Sequence, residues 1–519
     1  MIYIVGSGAA GVSAAFGLVE KGFEVTMLDA GFELEPERAE IVQQLSSLDK
    51  ERWDEGLVRR LKENMSPKIG GIAKKYVFGS DFPYRQTEYH PLVLKNAKVY
   101  LSLAKGGLLN TWGASILPCR QEDIEGWPIT IKDLEPHYKA VLSFMGNAIT
   151  KDSLNDIFPT YTEDSQPFFM ARQASSFLQN LEKNKDILKR EGFFFGRSRL
   201  AMRVGSEEKK RECAYCGLCL YGCPYDCIYL PQHTLKKLSE NKNFHYIKGV
   251  FVERIYENSR GVKIEARVLA DSSRLEFSGL FCILAAGVIS STRILLQSIE
   301  AFDHYLNLKH SEYFIMPLLA YVKTKGVTKE ELHTLAQVYI EIMDESISKN
   351  MVHLQAYGYN DLYLQLFKPL FGPFTPIFAN EILSRLLIIQ GYLHSDISSF
   401  LKVRLEKGDN GRLLVEGIEN PEAKKAVKKV AKKLFMNKKY FKAIPIPKMW
   451  KIGLPGDGNH SGGSFPMKEK PKEFESDKFG RPYGFERVHI VDSSIFPSIP
   501  ATTITLTIMA NAHRIVSEI

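Results

Sequence analysis

The hydrophobic pattern at the start of the chain predicts a strand, a helix and a second strand. Ile2–Val5 is a short apolar run of the kind that forms a buried parallel strand. A helical pattern then continues to about Lys21, and Gly22 supplies the C-terminal stop. Phe23–Leu28 predicts the second strand, which ends at Asp29. This order predicts an α/β unit with a parallel sheet.

Strand patterns recur further along the chain in two groups. The first group of apolar and β-branched runs covers Phe244–Arg254, Val262–Val268 and Leu275–Leu284. The second group predicts an antiparallel sheet covered by helices, with strands at Tyr313–Lys323, Met351–Tyr359 and Phe400–Leu405. A chain of 519 residues is long enough for two or three such lobes.

The first predicted strand and helix are joined by the glycine-rich turn Gly6-Ser7-Gly8-Ala9-Ala10-Gly11. Gly6 permits the tight turn, Gly8 lets the backbone approach a pyrophosphate, and Gly11 lets the helix pack closely on the strand. The helix N-terminus at Ala9-Ala10 offers N–H groups and a positive dipole end to the phosphates. Asp29 would accept a hydrogen bond from a ribose hydroxyl. The turn predicts a dinucleotide site but does not by itself separate FAD from NAD.

A second ordered motif lies in the C-terminal part of the chain. It consists of His460-Ser461-Gly462-Gly463-Ser464-Phe465-Pro466-Met467, Gly480-Arg481-Pro482-Tyr483-Gly484, a predicted strand at Val488–Val491, and Asp492-Ser493-Ser494-Ile495-Phe496-Pro497. This arrangement resembles the closing segment of the glucose–methanol–choline (GMC) oxidoreductase family. There, a histidine precedes a glycine by two residues, and a later strand ends in Asp, a small residue, Ser, a hydrophobic pair and Pro. The resemblance implies a flavoprotein in which Asp492 contributes to FAD binding.

Two internal motifs agree with this resemblance. The segment 106–114, GGLLNTWGA, is similar to the one beside the flavin ring in the branch that holds bacterial sugar dehydrogenases and pyranose oxidases. The segment 283–288, ILAAGV, resembles the strand that returns to the FAD domain. The FAD contacts that these motifs imply are Gly106, Gly107, Asn110, Thr111, Trp112, Gly113 and Ala286, and Val252 is a candidate for the adenine pocket. Because Thr111 stands where some relatives carry a histidine bonded to FAD, we expect non-covalent FAD.

The resemblance also implies the chemistry. Family members pass a hydride from an alcohol carbon to flavin N5, while a base beside the ring takes the hydroxyl proton. His460 falls at the base position, and histidine suits it because it titrates near neutral pH. The second active-site position, usually His or Asn, falls on Thr503, whose hydroxyl can hydrogen-bond but cannot act as a base. Thr503 thus departs from the family pattern.

The expected function is therefore an FAD-dependent dehydrogenase that oxidises a CH–OH group of a sugar, polyol or glycan-like alcohol. One alternative is a dehydrogenase or oxidase of a sterol or another hydrophobic alcohol. A second alternative is a non-catalytic flavin or electron-transfer subunit, which the Thr503 departure would suit.

Five of the seven cysteines lie between Cys213 and Cys227. The four candidate metal ligands Cys213, Cys216, Cys219 and Cys223, followed by proline, have the C-x₂-C-x₂-C-x₃-C-P spacing of bacterial ferredoxins. Thiolates suit iron–sulfur clusters or zinc, so a [4Fe–4S] or [3Fe–4S] cluster, a structural zinc and a metal-free loop all remain open. Cys227 is an alternative fourth ligand. Cys119 and Cys282 are expected in the core.

The resemblance assigns a role to such a cluster. Some related sugar dehydrogenases carry an iron–sulfur centre near the flavin, although with different cysteine spacing. Electrons would then leave the flavin through the cluster to a protein or quinone-like acceptor.

Charge and composition add few constraints. The net charge of +8 permits an anionic partner without requiring one, and nothing resembles a nucleic-acid module. No signal peptide and no spanning helix are predicted, and clustered cysteines fit a reducing compartment, so we expect a cytoplasmic protein. Pro421–Lys439 predicts a basic amphipathic helix, either a solvated surface helix or a peripheral contact at the inner membrane face. The apolar stretch Leu362–Leu393 would border such a surface or be core.

Together these observations predict an α/β fold with two domains. A discontinuous Rossmann-like FAD-binding domain would comprise residues 1–150, 200–300 and 450–519, with the cysteine loop at 210–230. Residues 301–449, with part of 151–199, would form an α+β substrate domain built on an antiparallel sheet.

Overall fold

The computed structural model describes residues 1–64, 74–163, 166–205, 212–363, 380–408 and 411–519. Its strands are β1 (Ile2–Val5), β2 (Val25–Asp29), β3 (Leu92–Lys95), β4 (Phe193–Arg197), β5 (Phe244–Lys248), β6 (Val250–Asn258), β7 (Gly261–Val268), β8 (Arg274–Gly279), β9 (Phe281–Leu284), β10 (Tyr305–His310), β11 (Glu312–Ala320), β12 (Val338–Ile342), β13 (Val352–Tyr357), β14 (Leu386–Leu393), β15 (Phe400–Leu405), β16 (Leu413–Ile418), β17 (Ala443–Pro445), β18 (Lys451–Ile452), β19 (Ser461–Gly462) and β20 (Val488–Ile490). Its α-helices are α1 (Ala9–Glu20), α2 (Pro36–Ser46), α3 (Glu55–Leu61), α4 (Ile131–Phe144), α5 (Arg172–Glu182), α6 (Lys185–Arg190), α7 (Pro231–Leu238), α8 (Val288–Ser298), α9 (Pro421–Met436), α10 (Lys438–Phe441) and α11 (Thr505–Ser517).

A parallel sheet carries the glycine-rich turn, with strands in the order β20-β9-β1-β2-β5. The predicted strand Ile2–Val5 forms as β1, between β2 and β9. The C-terminal helix α11 packs on α1, where the Ser13 hydroxyl donates a hydrogen bond to the Met509 carbonyl over 2.7 Å. Both ends of the chain therefore build one layer.

Each of two predicted strands forms two separate strands in the structure. One of the two belongs to this parallel sheet and the other to a three-stranded sheet, β6-β7-β8. Phe244–Arg254 becomes β5 and β6, because Gly249 with φ +77° turns the chain between them. Leu275–Leu284 likewise becomes β8 and β9. Apolar runs carry no signal for such a change of sheet, so the sequence predicted one strand in each place.

A seven-stranded antiparallel sheet forms the second layer, in the order β17-β11-β14-β13-β12-β4, with β18 also paired to β11. One face of the sheet is apolar and packs under α5 and α9, as shown by Phe314, Val338, Leu354 and Ile389 in one buried cluster. The alternate positions of the same strands point to the opposite face and are largely polar or aromatic. The predicted fold class, a parallel dinucleotide-binding sheet beside an antiparallel sheet, is confirmed.

The prediction that Phe400–Leu405 belongs to the same sheet as Tyr313–Lys323 and Met351–Tyr359 is wrong. As β15 it joins a separate five-stranded sheet, in the order β19-β10-β15-β16-β3. Its inward side chains Leu401 and Val403 belong to the same hydrophobic core as the parallel sheet. The periodicity of the sequence predicts a strand here, but it does not specify which of the two hydrophobic cores the strand packs against.

The basic amphipathic helix forms as α9 and ends at Met436, before the predicted Lys439. Its apolar positions, including Val427 and Val430, are buried against the antiparallel sheet. A membrane contact would therefore rest on its lysines and not on an inserted apolar face. Within the apolar stretch Leu362–Leu393, residues 364–379 lie outside the described residues and 386–393 form the buried strand β14. In the part of the chain that the structure describes, we find no helix with the length and apolar character that crossing a bilayer requires.

Candidate active site

A cavity of about 430 Å³ lies where the parallel sheet meets the polar face of the antiparallel sheet. Its floor is the glycine-rich turn with the start of α1, and its far wall comes from β11, β13 and β14. The lining residues that the sequence had singled out are Gly6, Gly8, Ala9, Ala10, Asp29, Gly107, Thr111, Trp112, Gly113, Val252, Ala286, His460, Asp492 and Thr503. Residues from both ends and the middle of the chain thus surround one space.

The glycines of the turn have distinct surroundings. Gly6 has φ +98°, and a Cβ there would lie 2.6 Å from the Ala285 carbonyl oxygen. A Cβ on Gly11 would lie 2.0 Å from the Gly6 carbonyl oxygen, so Gly11 supports the turn without lining the cavity. A Cβ on Gly8 would meet no protein atom within 4 Å. Gly8 thus borders open space at the N-terminus of α1, as a backbone that receives a pyrophosphate should.

Asp29 ends β2 at the cavity wall. Its carboxylate accepts hydrogen bonds from the Tyr246 hydroxyl over 2.8 Å and from the Ser7 hydroxyl. Burial raises the pKa of Asp29 to about 6, against the opposing effect of these hydrogen bonds. The side chain is fixed at the place where a ribose would lie in a dinucleotide site.

The loop at 106–113 brings Thr111, Trp112 and Gly113 to the cavity, whereas Gly106 and Asn110 do not line it. The Asn110 amide donates to the carbonyls of Lys105 (2.9 Å) and Gly107 (2.7 Å), so it holds the loop together. Asn110 therefore supports the loop, and its expected direct contact with FAD stays a prediction. Gly106 is packed too tightly for any side chain, since a Cβ would lie 2.4 Å from the Gln232 amide oxygen.

Asp492 connects the two halves of the parallel layer. One carboxylate oxygen accepts from the Gly287 backbone N–H over 2.9 Å and from the Ser291 hydroxyl over 2.5 Å, which caps the start of α8. The other accepts from Ser494. Burial raises the pKa of Asp492, although the four hydrogen bonds to its carboxylate act to lower it. The residue thus fixes the cavity wall at Ala286 and Gly287.

His460 occupies the other end of the cavity, beside Thr503. Its ring stacks on Tyr392 with centroids 4.9 Å apart and planes inclined by 29°. Burial first, and the nearby charge of His353 second, lower the pKa of His460 to about 3. The imidazole is therefore neutral near pH 7 and able to accept a proton, but burial moves its pKa well below the near-neutral value on which the sequence argument rested. Within the described residues, His460 Nδ1 and the Thr503 hydroxyl have no hydrogen-bond partner.

Several cavity residues gave no sequence motif. His90 is 1% exposed and, among the described residues, neither ring nitrogen has a hydrogen-bond partner. Burial and then the charge of Arg293 lower the pKa of His90 to about 3. The alternation of polar and apolar residues in Val352–Tyr357 was the available signal for the opposite wall, where Gln355 and Tyr357 line the cavity.

The predicted metal ligands lie in one loop next to this cavity. In the described portion of the chain, no three His, Cys, Asp or Glu side chains are placed to hold a metal ion. The thiols are nevertheless close enough that neighbouring cysteine charge, after burial, raises the pKa of Cys213 and of Cys216. Cys223 accepts a hydrogen bond from the Cys227 backbone N–H over 3.3 Å. Cys119 and Cys282 are buried in the core, as predicted.

The loop borders a second cavity, of about 240 Å³, that shares residues with the first. Cys223 and Gly222 line only the smaller cavity, whereas Lys75, Leu109 and Trp112 line both. Trp112 lies between the two cavities, and Leu220 of the cysteine loop lines the larger one, so the two regions are adjacent.

The fold and the glycine-rich turn at this cavity suit a bound dinucleotide. Residues 421–512 match the sequence profile of the GMC oxidoreductase family. A stretch of 152 residues, 28% of this chain, is 29% identical to 6'''-hydroxyparomomycin C oxidase from Streptomyces lividus and spans only 22% of that protein. The sequence similarity to the GMC oxidoreductase family thus covers the C-terminal residues 421–512.

Solved structures with the same fold agree. Pyridoxine 4-oxidase from Mesorbium loti is similar over 100% of this chain and 98% of its own, with a TM-score of 0.61 and 13% identity. A variant of formate oxidase from Aspergillus oryzae RIB40 is similar over 99% and 97%, with a TM-score of 0.63 and 13% identity. At these identities the likeness concerns the fold.

Proposed function

We propose that this protein is an FAD-dependent oxidoreductase that oxidises a CH–OH group of a sugar, polyol or glycan-like alcohol. The observation that carries the proposal is the single cavity in which the glycine-rich turn and His460 meet. The open space at Gly8, the fixed carboxylate of Asp29 and the unpartnered ring of His90 suit the diphosphate and nucleoside parts of FAD. FAD, when bound, supplies the hydride acceptor.

The residues of this chain supply the proton transfer and the orientation. His460 starts neutral and accepts the proton of the substrate hydroxyl at a ring nitrogen as the C–H bond breaks. Tyr392 supports the imidazole from below by stacking. Thr503 offers one hydroxyl for a hydrogen bond and no base, which leaves His460 as the base. Such a base contributes about 10²–10⁴-fold to the rate.

The polar far wall supports an alcohol with several hydroxyl groups. Tyr313, Gln355, Tyr357, Gln390 and Tyr392 line it, a set that combines flat aromatic surface with amide and hydroxyl groups. The name of the Streptomyces lividus relative, 6'''-hydroxyparomomycin C oxidase, points to the same substrate class.

For the cysteine loop we propose a [4Fe–4S] cluster held by Cys213, Cys216, Cys219 and Cys223, or a [3Fe–4S] cluster held by three of these cysteines. The ferredoxin spacing supports it, and so does the position of the loop behind Trp112. A cubane holds each thiolate on a different iron, so it needs the sulfurs further apart than a single metal ion does. Such a cluster would pass electrons to a protein or quinone-like acceptor, whereas the relatives named above are oxidases.

Three further expectations stay proposals. Thr111 in place of a histidine predicts that acid precipitation releases all of the flavin. A cytoplasmic location rests on the clustered thiols. Peripheral contact with anionic lipid would rest on the outward lysines of α9, since its apolar face is buried.

The test is anaerobic addition of alcohols to the purified, flavin-loaded protein. Loss of the oxidised flavin absorbance with a sugar or polyol, and no loss with a sterol, is the expected result. Flavin that no alcohol reduces would contradict the enzymatic proposal and favour a non-catalytic flavin subunit.

A further inference from the structure

The polar face of the antiparallel sheet contains a continuous hydrogen-bonded chain that ends in the cavity. It begins at Glu341 on β12, passes through His353 and Gln355 on β13, and ends at Tyr357. The strand register sets Glu341 opposite His353, so the first two side chains meet across the sheet. Both of these are fully buried.

The three contacts are short and connect in series. His353 Nδ1 lies 2.7 Å from Glu341 Oε1. Gln355 Nε2 lies 3.0 Å from His353 Nε2. The Tyr357 hydroxyl donates to Gln355 Oε1 over 3.0 Å. Both polar atoms of the Gln355 side chain therefore have hydrogen-bond partners, which fixes the orientation of the amide.

The carboxylate of Glu341 fixes the direction of every hydrogen bond in this chain. A carboxylate only accepts, so a neutral His353 carries its proton on Nδ1 and presents Nε2 as an acceptor to the Gln355 NH₂ group. Gln355 therefore directs its NH₂ group at His353 and its carbonyl at Tyr357. The Tyr357 proton is consequently held by Gln355, and the free lone pair of the hydroxyl is left for the cavity.

Tyr357 lies where a bound substrate would meet it. It lines the same cavity as His460, and its hydroxyl oxygen would lie 3.5 Å from a Cβ on Gly113, in the loop beside Trp112. On the neighbouring strand, the ring of Tyr392 stacks on the imidazole of His460. The Tyr313 hydroxyl on β11 also lines this wall, is buried, and has no hydrogen-bond partner in the described chain.

From this arrangement we infer that Tyr357, oriented by Glu341 through His353 and Gln355, selects substrates that carry a second hydroxyl beyond the reacting carbinol. The inference rests on the proposed alcohol oxidation and narrows it to polyhydroxylated rings. The second hydroxyl donates its proton to the Tyr357 oxygen, while the reacting hydroxyl faces His460. A monohydroxy alcohol leaves the Tyr357 oxygen without a donor, which costs binding.

The experiment compares Tyr357→Phe with the wild type on two kinds of probe. The polyol probes are D-glucose, myo-inositol and paromomycin, and the monohydroxy probes are cyclohexanol and benzyl alcohol. Anaerobic flavin reduction gives KM and kcat, and calorimetry on the flavin-loaded protein gives Kd. Tyr359→Phe is the matched control, because Tyr359 follows on the same segment but does not line the cavity.

We expect Tyr357→Phe to raise KM and Kd for the accepted polyol about tenfold, as loss of one hydrogen bond should. The kcat value and the FAD content should stay within twofold of wild type, because the ring and its packing remain. The KM for monohydroxy alcohols should not rise, because phenylalanine removes the oxygen that these alcohols leave without a donor. Glu341→Gln removes the obligate acceptor and should raise the polyol KM similarly without lowering kcat. Should Glu341→Gln fail to fold, Tyr357→Phe alone decides.

The outcomes separate this inference from the proposed function. Polyol constants that Tyr357→Phe leaves unchanged, or a monohydroxy KM that rises equally, would overturn the selection role while alcohol oxidation stands. Binding of a polyol without flavin reduction, weakened by Tyr357→Phe, would remove the enzymatic proposal and keep the recognition role. Failure of every polyol probe to bind would overturn the inference itself.

Discussion

The His460 imidazole lies face to face with the Tyr392 ring, at 4.9 Å between centroids and 29° between planes. In the described chain no hydrogen bond orients Nδ1 of His460, so this stack is what fixes the ring. Tyr392 is the penultimate residue of β14 and is paired there with Tyr313 on one side and His353 on the other, so its backbone is held on both sides.

Replacing Tyr392 with leucine should let the imidazole rotate away from the substrate. We expect kcat for flavin reduction to fall about tenfold or more, because misplaced reacting groups lose rate, with FAD content unchanged. Tyr392→Phe keeps the ring and should retain most of kcat. Equal losses in the two variants would show that the hydroxyl, and not the stack, matters.

The pH dependence of flavin reduction should reflect the neutral state of His460. Its pKa is lowered to about 3, so the proton-accepting form is already complete at neutral pH. The rate limited by this base should stay level from about pH 8 down to about pH 5, well below the usual histidine value of about 6.5. Stopped-flow reduction across this range gives the profile. An acid limb centred near that usual value, lost in His460→Asn, would contradict the assigned ionisation state.

The surroundings of Gly8 and Gly11 predict different failures. Gly8→Val adds a side chain in open space, so the protein should fold with nearly unchanged thermal stability but bind no FAD. Gly11→Val puts Cβ 2.0 Å from the Gly6 carbonyl oxygen, so the turn itself should be disrupted and the protein destabilised. Thermal melting and flavin content after gel filtration measure both. A Gly8→Val protein that keeps full FAD would place the cofactor elsewhere.

The cysteine loop is tested by metal analysis after anaerobic purification. We expect iron and inorganic sulfide in the wild type, and loss of both in Cys216→Ser with FAD retained. Cys282→Ala is the control, because Cys282 is buried in β9 away from the loop and its loss should leave iron unchanged. Zinc in place of iron, or no metal in the anaerobic wild type, would remove the proposed electron route.

Much of the parallel layer was accessible from sequence because local chemistry determines it. Gly6, Gly8 and Gly11 are needed for backbone reasons that any sequence with this turn shares. His460 was identified from the C-terminal sequence motif and not from hydrophobic periodicity. It lines the same cavity as the glycine-rich turn. The strand at Ile2–Val5 formed with its predicted bounds, since short buried parallel strands are marked by continuous apolar runs.

What the sequence missed depends on contacts between distant segments. Asn110 looked like a cofactor contact, but its amide is used by the carbonyls of Lys105 and Gly107. Gln355 and Tyr357 carry no motif, and their importance comes from facing His353 and the cavity on one side of a sheet. Phe400–Leu405 was correctly predicted to be a strand. Its partner strands depend on the hydrophobic core in which Leu401 is buried, which the sequence pattern does not specify.

The most direct test of the central claim is flavin reduction by His460→Asn under anaerobic conditions, with the best polyol substrate of the wild type. Asparagine keeps a polar side chain at this position but cannot take a proton. We expect the variant to retain FAD and to bind the polyol, while its rate of flavin reduction falls by about 10²-fold or more. A variant that reduces its flavin at the wild-type rate would contradict the role of His460 as the base.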